Sequence, residues 1–294
     1  MATLSQWVEG ARPRTLPAAV APVLVGTGAA YALGRADSGL ALLALLVSLA
    51  LQVGVNYAND YSDGIRGTDE DRVGPVRLVG QGLARPDNVK LAAMLSFASA
   101  ALFGLALVAL SGAFVMLLVG AASIAAAWYY TGGKKPYGYS GLGELFVFVF
   151  FGLVATLGTT YTQAGTLSIA SIAGAVGVGA IASAILVANN LRDIPGDTSN
   201  GKRTLAVRLG ASRTRDLYAA LLALSLLCVL VAGVIHLSAL IALLSVALAL
   251  PLVRRVMGGA VGRDLVPVLS GTGLFELVYA ALLAVGLGAA HHLG

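Results

Sequence analysis

Long apolar runs separated by short polar segments dominate the chain, and this pattern sets the first prediction. Nine runs approach the ~20 residues with which an α-helix crosses a hydrocarbon core about 30 Å thick. They are residues 16–34, 39–58, 89–110, 112–130, 142–161, 166–188, 214–235, 237–253 and 265–290. The runs are continuously apolar and do not alternate with period two, which excludes a membrane β-barrel. We therefore predict an all-α membrane protein, a bundle of nine transmembrane helices.

Composition agrees with this prediction. Of the 294 residues, 58% are hydrophobic and 11% are charged, whereas a soluble domain carries about 25% charged residues. Nine spans with short connections use nearly the whole chain, so we predict a single polytopic membrane domain over residues 1–294. The first run follows Arg12 and Arg14 but is too long for the apolar core of a signal peptide, which predicts a retained helix. The lone Cys228 excludes a disulfide and a cysteine metal cluster.

Basic residues lie almost entirely on one side of the predicted bundle. With nine spans, every Lys and Arg except Arg35 falls near the amino terminus or in a connection on that same side. The positive-inside rule places that side in the cytoplasm. The carboxyl terminus, with His291 and His292, is then expected outside.

The aspartates cluster in two polar connections, at 59–88 and 189–213, both predicted to be cytoplasmic. Asn59, Asp63 and Gly67 are spaced by four residues, and the same spacing recurs in the second connection. There it is occupied by Asn189, Asp193 and Asp197. Because each cluster follows an even-numbered span, we predict an internal duplication with one site built from both copies.

Helical geometry brings the polar side chains of each cluster onto one face, within an arc of about 100°. The first set is Asn56, Asn59, Asp60 and Asp63, and the second set is Asn189, Asn190, Asp193 and Asp197. Pro195 disfavours a continuous helix in the second cluster, so Asp197 is expected on a local turn.

These clusters combine oxygen ligands with bases. Mg²⁺ and Ca²⁺ prefer oxygen ligands, and Mg²⁺ commonly combines one or two carboxylates with substrate phosphates. Arg and Lys would bind the remaining phosphate oxygens. The nearby bases are Arg66, Arg72, Arg77, Lys134, Lys135, Arg192, Lys202 and Arg203. The pattern predicts a magnesium–diphosphate site, with a pair of solvated, charged loops as the alternative.

Four segments resemble the UbiA superfamily of intramembrane prenyltransferases. "NDYSDGIRGTDEDRVGPVRLVGQG" and "NNLRDIPGDTSNGKRTLAVRLG" are similar to its two Asp-rich signatures, and "ARPRTLPAAVAPVLVGT" and "YYTGGKKPYGYSGLGE" extend the similarity. Together they most resemble the branch that prenylates 1,4-dihydroxy-2-naphthoate in menaquinone biosynthesis. The resemblance implies an enzyme of the bacterial cytoplasmic membrane that uses Mg²⁺ to transfer a polyprenyl group from polyprenyl diphosphate. Diphosphate and carbon dioxide would be released, giving demethylmenaquinone.

The resemblance and the facing argument together assign the site residues. The expected metal ligands are Asn59, Asp60, Asp63, Asp69, Asn189, Asp193 and Asp197, of which Asp60, Asp63, Asp193 and Asp197 form the catalytic set. Asp69 is included among the expected ligands because Gly67 occupies the position where the resemblance implies a third acidic residue. The expected substrate-binding residues are Asn56, Asn59, Arg66, Arg77, Tyr130, Lys134, Asn189, Asn190 and Lys202.

Two further acidic residues lie inside predicted spans. Glu144 is expected either to orient Lys134 or Lys135 or to stabilise the start of its helix. Glu276 lies near the middle of the ninth span, where a charge is costly. We expect it to be hydrogen-bonded to Tyr279 or Ser270 in a structural role.

Two other functions stay open on the sequence. One is prenylation of a different aromatic acceptor, such as 4-hydroxybenzoate or a haem or chlorophyll precursor. The other is a cation-coupled transporter, since acids at repeat-related helix ends can bind ions. The transporter predicts acids near the bilayer midplane, whereas these clusters lie at the cytoplasmic rim among bases. No nucleic-acid partner is expected.

Overall fold

The computed structural model describes residues 2–67 and 76–293, with side chains as far as residue 290. All regular secondary structure in these ranges is helical. The α-helices are α1 (Leu4–Gly10), α2 (Pro17–Ala32), α3 (Ser38–Gly64), α4 (Pro86–Ser111), α5 (Met116–Tyr129), α6 (Gly143–Val147), α7 (Ala155–Ala164), α8 (Ile169–Ser199), α9 (Leu205–Ile235), α10 (Val246–Met257) and α11 (Val266–Leu293). A π-helical segment, Phe148–Val154, joins α6 to α7, and a 3₁₀ segment, Leu237–Ser245, leads into α10.

The described helices support a membrane bundle. Seven helical stretches are long and apolar enough to cross a membrane, with Gly143–Ala164 and Leu237–Met257 each counted as one stretch. An eighth span forms if the bent pair Leu4–Thr15 and Pro17–Ala32 is counted as one. That pair bends by 47° between Thr15 and Pro17, and Arg12, which follows α1, has a left-handed φ of 55°. The apolar helix α5 has 14 residues, which at ~1.5 Å per residue is shorter than the hydrocarbon core. The all-helical fold is therefore confirmed, and nine crossings stay a prediction.

Helix α8 occupies the centre of the bundle, with 72% of its apolar window buried. It packs against α9, α11, α2 and the π-helical segment. Glycines permit the closest approach, because a Cβ on Gly152 would overlap the backbone of Gly179. Small residues at helix interfaces are typical of membrane proteins, in which packing rather than the hydrophobic effect holds helices together.

Two helices extend beyond their predicted apolar runs and carry the aspartate clusters. Helix α3 continues to Gly64, which confirms that residues 56–63 are helical. Helix α8 continues through Pro195 to Ser199, so the expected turn at Asp197 is wrong. Proline removes one backbone hydrogen bond; Pro195 itself is exposed, whereas Asp193 and Asp197 on either side of it are buried.

Candidate active site

The carboxyl-terminal ends of α3 and α8 open onto one cavity of about 940 Å³. Asn59 and Asp63 line it from α3, and Asn189, Asn190 and Asp197 line it from α8. The two clusters that the sequence places far apart therefore meet in space. We call this space the polar cavity.

Asp63 is the acidic side chain that ties the two helix ends together. It is 3% exposed, and its Oδ1 accepts a hydrogen bond from the hydroxyl of Tyr139. Lys202, just beyond α8, places its Nζ 3.8 Å from the same oxygen and 4.4 Å from the centre of the Tyr139 ring. One turn earlier, Asn59 accepts a hydrogen bond from the Thr131 hydroxyl at 2.8 Å.

Asp60 and Asn56 do not line the polar cavity and form hydrogen bonds elsewhere. The two carboxylate oxygens of Asp60 accept the backbone N–H groups of Leu78 and Val79, at 2.7 and 3.1 Å. Asp60 does not line the polar cavity. Asn56 donates to the Ala11 carbonyl at 2.9 Å and to Thr15 Oγ1 at 3.0 Å. The side chains of the first cluster therefore have different surroundings. Asn59 and Asp63 line the polar cavity, whereas Asn56 and Asp60 bind neighbouring segments of the chain.

Asp193 forms a two-point ion pair with its neighbour Arg192. Arg192 Nε lies 2.7 Å from one carboxylate oxygen and Nη2 lies 2.8 Å from the other, and both side chains are buried. Nη2 also donates to Asn189 Oδ1 at 2.8 Å. Arg192 lines the polar cavity and Asp193 does not, so Asp193 holds a cationic group at the cavity wall. Asp197 accepts a 3.5 Å hydrogen bond from Thr204.

The predicted bases divide into two groups. Arg77 and Lys202 are buried and line the polar cavity. Arg66 and Lys134 are exposed and lie outside its lining. Arg66 donates to the carbonyls of Thr131 and Gly133 instead, and so fastens the turn after α5. Asp69 lies outside the described residues.

The lining of the polar cavity is predominantly basic among the described residues. It contains the acids Glu9, Asp63 and Asp197. The basic lining residues are Arg12, Arg14, Arg77, Arg192, Lys202 and Arg263. An excess of bases in a cavity with low-dielectric walls attracts a polyanion more strongly than the same bases on a solvated surface.

A second, apolar cavity of about 510 Å³ lies between α3, α4, α5 and the π-helical segment. The two cavities are contiguous, because they share a set of lining residues that we call the junction. The junction consists of Gln52, Asn59, Tyr130, Val147, Phe151 and Leu186. Tyr137 forms part of the apolar wall; burial raises the pKa of its hydroxyl, which donates to the Ala126 carbonyl at 2.7 Å.

Sequence reasoning missed several lining residues. Tyr139 lies in a segment that carried the family resemblance, but nothing in that segment distinguishes it from Tyr137. Gln52 is a lone amide in an apolar run and belongs to no motif. Arg12 and Arg14 lie in another segment that carries the family resemblance but belong to neither aspartate cluster, and their position on the cavity depends on the bend between α1 and α2.

The two intramembrane glutamates differ in outcome: Glu144 lies in the first turn of α6, as one of its two expected roles requires, whereas the expected bonds of Glu276 are absent. Glu144 orients neither Lys134 nor Lys135; its Oε1 accepts from Asn190 Nδ2 at 2.9 Å. Glu276 is fully buried, and neither carboxylate oxygen has a hydrogen-bond partner among the described residues. The expected bond from Tyr279 is absent because the Tyr279 hydroxyl donates to the Ser225 carbonyl.

The oxygen groups of the polar cavity fit Mg²⁺ in its usual mode. Asn59, Asp63, Asn189 and Asp197 offer carboxylate and amide oxygens, with no thiolate or imidazole beside them in the lining. No group of three or more His, Cys, Asp or Glu within residues 2–67 and 76–290 is arranged to hold an ion without further ligands. Mg²⁺ commonly binds through one or two carboxylates and completes its shell with phosphate oxygens and water.

The sequence is similar to those of known prenyltransferases. A model of the UbiA prenyltransferase family matches residues 19–264. The chain is 56% identical over 287 residues to 1,4-dihydroxy-2-naphthoate octaprenyltransferase of Mycobacterium tuberculosis, with 98% of each chain covered. It is 46% identical over 228 residues to the Escherichia coli protein of the same name, covering 76% of this chain and 74% of that one.

Solved structures share the fold. The apo structure of a UbiA homolog from Aeropyrum pernix K1 matches with a TM-score of 0.72 at 16% identity, covering 93% of this chain and 98% of that one. A UbiA homolog from Archaeoglobus fulgidus bound to DMAPP and Mg²⁺ matches with a TM-score of 0.67 at 14% identity, covering 97% and 99%. With the family model matching most of its length, the chain belongs to the UbiA prenyltransferase family.

Proposed function

We propose that this protein transfers a polyprenyl group from polyprenyl diphosphate to 1,4-dihydroxy-2-naphthoate, releasing diphosphate and carbon dioxide. One observation carries the proposal: a basic polar cavity, lined by residues of both aspartate clusters, is contiguous with an apolar cavity. An amphipathic donor with a charged head and a hydrocarbon tail requires this pairing of environments. The names of the relatives support the choice of acceptor over 4-hydroxybenzoate.

The diphosphate belongs in the polar cavity. Lys202 and Arg192 would bind its oxygens, since both are buried bases that line the cavity and are held in place by Asp63 and Asp193 respectively. Asn59, Asp63, Asn189 and Asp197 would hold Mg²⁺ against the same group. Bound there, Mg²⁺ neutralises negative charge on the leaving diphosphate. Asp60 is proposed to position the segment at Leu78 and Val79, and with it Arg77.

The prenyl tail belongs in the apolar cavity. That cavity is lined almost entirely by aliphatic and aromatic side chains of α3, α4, α5 and the π-helical segment. Burial of the tail supplies binding energy remote from the reacting bond. With the head in one cavity and the tail in the other, the first prenyl carbon must lie at the junction.

Aromatic side chains at the junction suit the cationic character of the reaction. Tyr130 and Phe151 line both cavities. Aromatic faces attract cations, most strongly where water is excluded. We assign them the role of stabilising the allylic cation and keeping water from it.

The acceptor belongs on the remaining basic wall of the polar cavity. Arg12, Arg14, Arg77 and Arg263 line this wall together with Thr15 and Ser270. A guanidinium group binds a carboxylate through two parallel hydrogen bonds. These arginines would bind the naphthoate carboxylate and turn the ring towards the junction.

The bond changes balance without an external oxidant or reductant. The bond between the first prenyl carbon and diphosphate breaks, and its electron pair leaves with the diphosphate. A ring carbon of the acceptor forms the new carbon–carbon bond. The carboxylate departs as carbon dioxide and returns its bonding electrons to the ring, so that the prenyl group replaces the carboxylate overall. The immediate product is a quinol, and its oxidation would give demethylmenaquinone.

We further propose nine crossings in one membrane domain, with the aspartate clusters and the amino terminus in the cytoplasm and the carboxyl terminus outside. The short helix α5 would serve as the fourth crossing, and the bent pair of α1 and α2 as the first. The recurring spacing of the two aspartate clusters supports an origin by duplication. The distribution of Lys and Arg supports the orientation.

The proposal is tested with membranes that contain the protein. They are incubated with Mg²⁺, a polyprenyl diphosphate and 1,4-dihydroxy-2-naphthoate, and both diphosphate and carbon dioxide are measured. We expect equimolar release, dependent on all three additions and lost in Asp63→Asn. The matched control is Asp87→Asn, because Asp87 is an exposed acid at the start of α4. Diphosphate release without carbon dioxide would reject the acceptor, and no prenylation of any aromatic acceptor would reject the activity.

A further inference from the structure

Glu144 and Asn190 form a buried contact between α6 and α8 beside the polar cavity. Glu144 lies in the first turn of α6 and is 7% exposed. Its Oε1 accepts a hydrogen bond from Asn190 Nδ2 at 2.9 Å. Its other oxygen, Oε2, is occluded and has no hydrogen-bond partner among the described residues. Burying an acid is costly unless its oxygens are paired, so packing alone is a poor explanation for this carboxylate.

The contact determines which end of the Asn190 amide meets the polar cavity. Asn190 lines that cavity, and its NH₂ group is held by Glu144. Its carbonyl oxygen, Oδ1, has no hydrogen-bond partner within the described part of the chain, and unlike Glu144 Oε2 it is not occluded by protein atoms. The open surface at Oδ1 therefore belongs to the polar cavity, and Asn190 presents an acceptor to whatever binds there.

The other asparagines in the described lining of the polar cavity already use their amide oxygens inside the protein. Asn59 Oδ1 accepts from the Thr131 hydroxyl at 2.8 Å, and Asn189 Oδ1 accepts from Arg192 Nη2 at 2.8 Å. Each of these oxygens retains one lone pair for a ligand, whereas the oxygen of Asn190 offers both.

We propose that Glu144 is a positioning residue: it holds the Asn190 amide so that Oδ1 binds the hydrated Mg²⁺ ion that accompanies the diphosphate. This inference rests on the proposed function and adds Asn190 to the residues assigned to the ion. A carbonyl oxygen only accepts, so it cannot bind the oxygens of an ionised diphosphate, which are acceptors too. Carbonyl oxygens do suit Mg²⁺ and Mn²⁺, as carboxylates and water do.

The chemistry of a carboxylate suits this role better than that of a neutral polar group. In its ionised form a carboxylate can only accept, so it admits one orientation of the neighbouring amide. A hydroxyl or an amide in the place of Glu144 could equally accept from Nδ2 or donate to Oδ1. Residues that orient a metal ligand in this way typically change metal affinity by about 10–100-fold when they are replaced.

Metal affinity tests this role without relying on turnover. The purified protein is loaded with an unreactive thiolodiphosphate analogue of the donor, and Mn²⁺ replaces Mg²⁺ because free Mn²⁺ is quantified by electron paramagnetic resonance. We expect Glu144→Met and Asn190→Leu each to raise the Kd for Mn²⁺ about tenfold. Glu144→Gln should raise it less, since its side chain keeps an oxygen that can accept from Asn190.

A double variant separates positioning from a general effect on the bundle. If Glu144 acts through Asn190, Glu144→Met should cause no further loss of Mn²⁺ affinity when Asn190→Leu has already removed Oδ1. Ser183→Ala is the matched control. It removes the hydrogen bond from the Ser183 hydroxyl to the Glu144 backbone carbonyl at 3.1 Å, and Ser183 does not line the polar cavity, so the Kd should stay unchanged.

Two results would overturn the inference. Unchanged Mn²⁺ affinity in Asn190→Leu would show that Oδ1 does not meet the ion, even if Glu144→Met failed to fold. Additive losses in the double variant would show that Glu144 affects the site by another route; Glu144→Gln serves in the same comparison if Glu144→Met is unstable. Failure of the proposed function is distinct, because the unaltered protein would then not prenylate 1,4-dihydroxy-2-naphthoate, whereas the metal affinities are measured without any acceptor.

Discussion

Lys202 reaches back from the segment after α8 to place its Nζ 3.8 Å from the Asp63 carboxylate at the end of α3. The ring of Tyr139 lies under the ammonium group, and its hydroxyl donates to the same carboxylate. This three-residue contact joins the two aspartate clusters before any ligand binds. Lys202 is buried and lines the polar cavity, at the place where a diphosphate would enter.

Removing the Lys202 ammonium should therefore impair use of the donor. We expect Lys202→Met to lower kcat/KM for the polyprenyl diphosphate about 100-fold, because a preorganised cation facing the leaving group is lost. Lys202→Arg should retain part of the activity. Lys134→Met is the control, since Lys134 is exposed and lies outside the cavity lining, and its kinetics should be nearly unchanged. A loss of similar size in both variants would show that surface charge, rather than the buried contact, matters.

Asp60 and Asp63 should behave differently although they lie on the same helix. Asp60→Asn replaces one acceptor oxygen with an NH₂ group that faces a backbone N–H. We expect it to destabilise the fold by about 1–3 kcal/mol, seen as a lower Tm in detergent. Asp63→Asn should leave the Tm within a few degrees of the unaltered protein and abolish turnover. Normal stability of Asp60→Asn would contradict the positioning role.

The pair of Arg192 and Asp193 calls for a double-mutant measurement. Asp193→Ala leaves a buried guanidinium without its two-point partner, which typically costs about 3–5 kcal/mol. Replacing both residues, as in Arg192→Met with Asp193→Leu, should restore much of the stability and none of the turnover. Thermal unfolding and prenylation assays of Arg192→Met, Asp193→Leu and the double variant provide the measurement. Additive losses of stability would mean that the two side chains act independently.

The outcome for Asp60 illustrates what the sequence can and cannot specify. Spacing by three and four residues predicts which side chains share a helix face, and α3 and α8 are helical through both clusters. The partner that each side chain meets depends on the packing of distant segments. Asp60 binds the backbone at Leu78 and Val79, whereas Asp63, one turn on, faces the cavity. Nothing in the local pattern separates them.

The membrane bundle was predictable because apolar length is a strong local signal. The position of Gln52 between the two cavities was not predictable, because it depends on how α3 packs against the segment before α2, where Thr15 accepts a hydrogen bond from the Gln52 amide. Pro195 shows the opposite case: a local preference against helix does not hold, since α8 continues through it to Ser199. Glu276 is a buried acid without a hydrogen-bond partner among the described residues, and neither sequence nor packing explains it.

Close packing between the π-helical segment and α8 makes a prediction about stability. Gly152→Ala would push a methyl group into the Gly179 backbone, and neither helix can move without disturbing the junction. We expect a lower Tm together with reduced turnover. Gly120→Ala is the matched control, because Gly120 is helical and has open space around its Cα; it should be neutral or slightly stabilising, by up to ~1 kcal/mol. Equal Tm values for the two variants would refute the close contact.

Phe151 lies where the first prenyl carbon is expected, so its removal should change what the reaction produces. In Phe151→Ala the junction gains space beside the polar cavity, and water can reach the allylic cation before the aromatic ring attacks. The measured quantity is the ratio of prenol to prenylated product, which we expect to rise at least about tenfold if a preorganised, water-free site protects the cation. Phe150→Ala is the matched control, because Phe150 lines the apolar cavity alone; it should weaken donor binding and leave the product ratio unchanged. A ratio that stays constant in Phe151→Ala while total turnover falls would mean that Phe151 only shapes the cavity and that protection from water resides elsewhere.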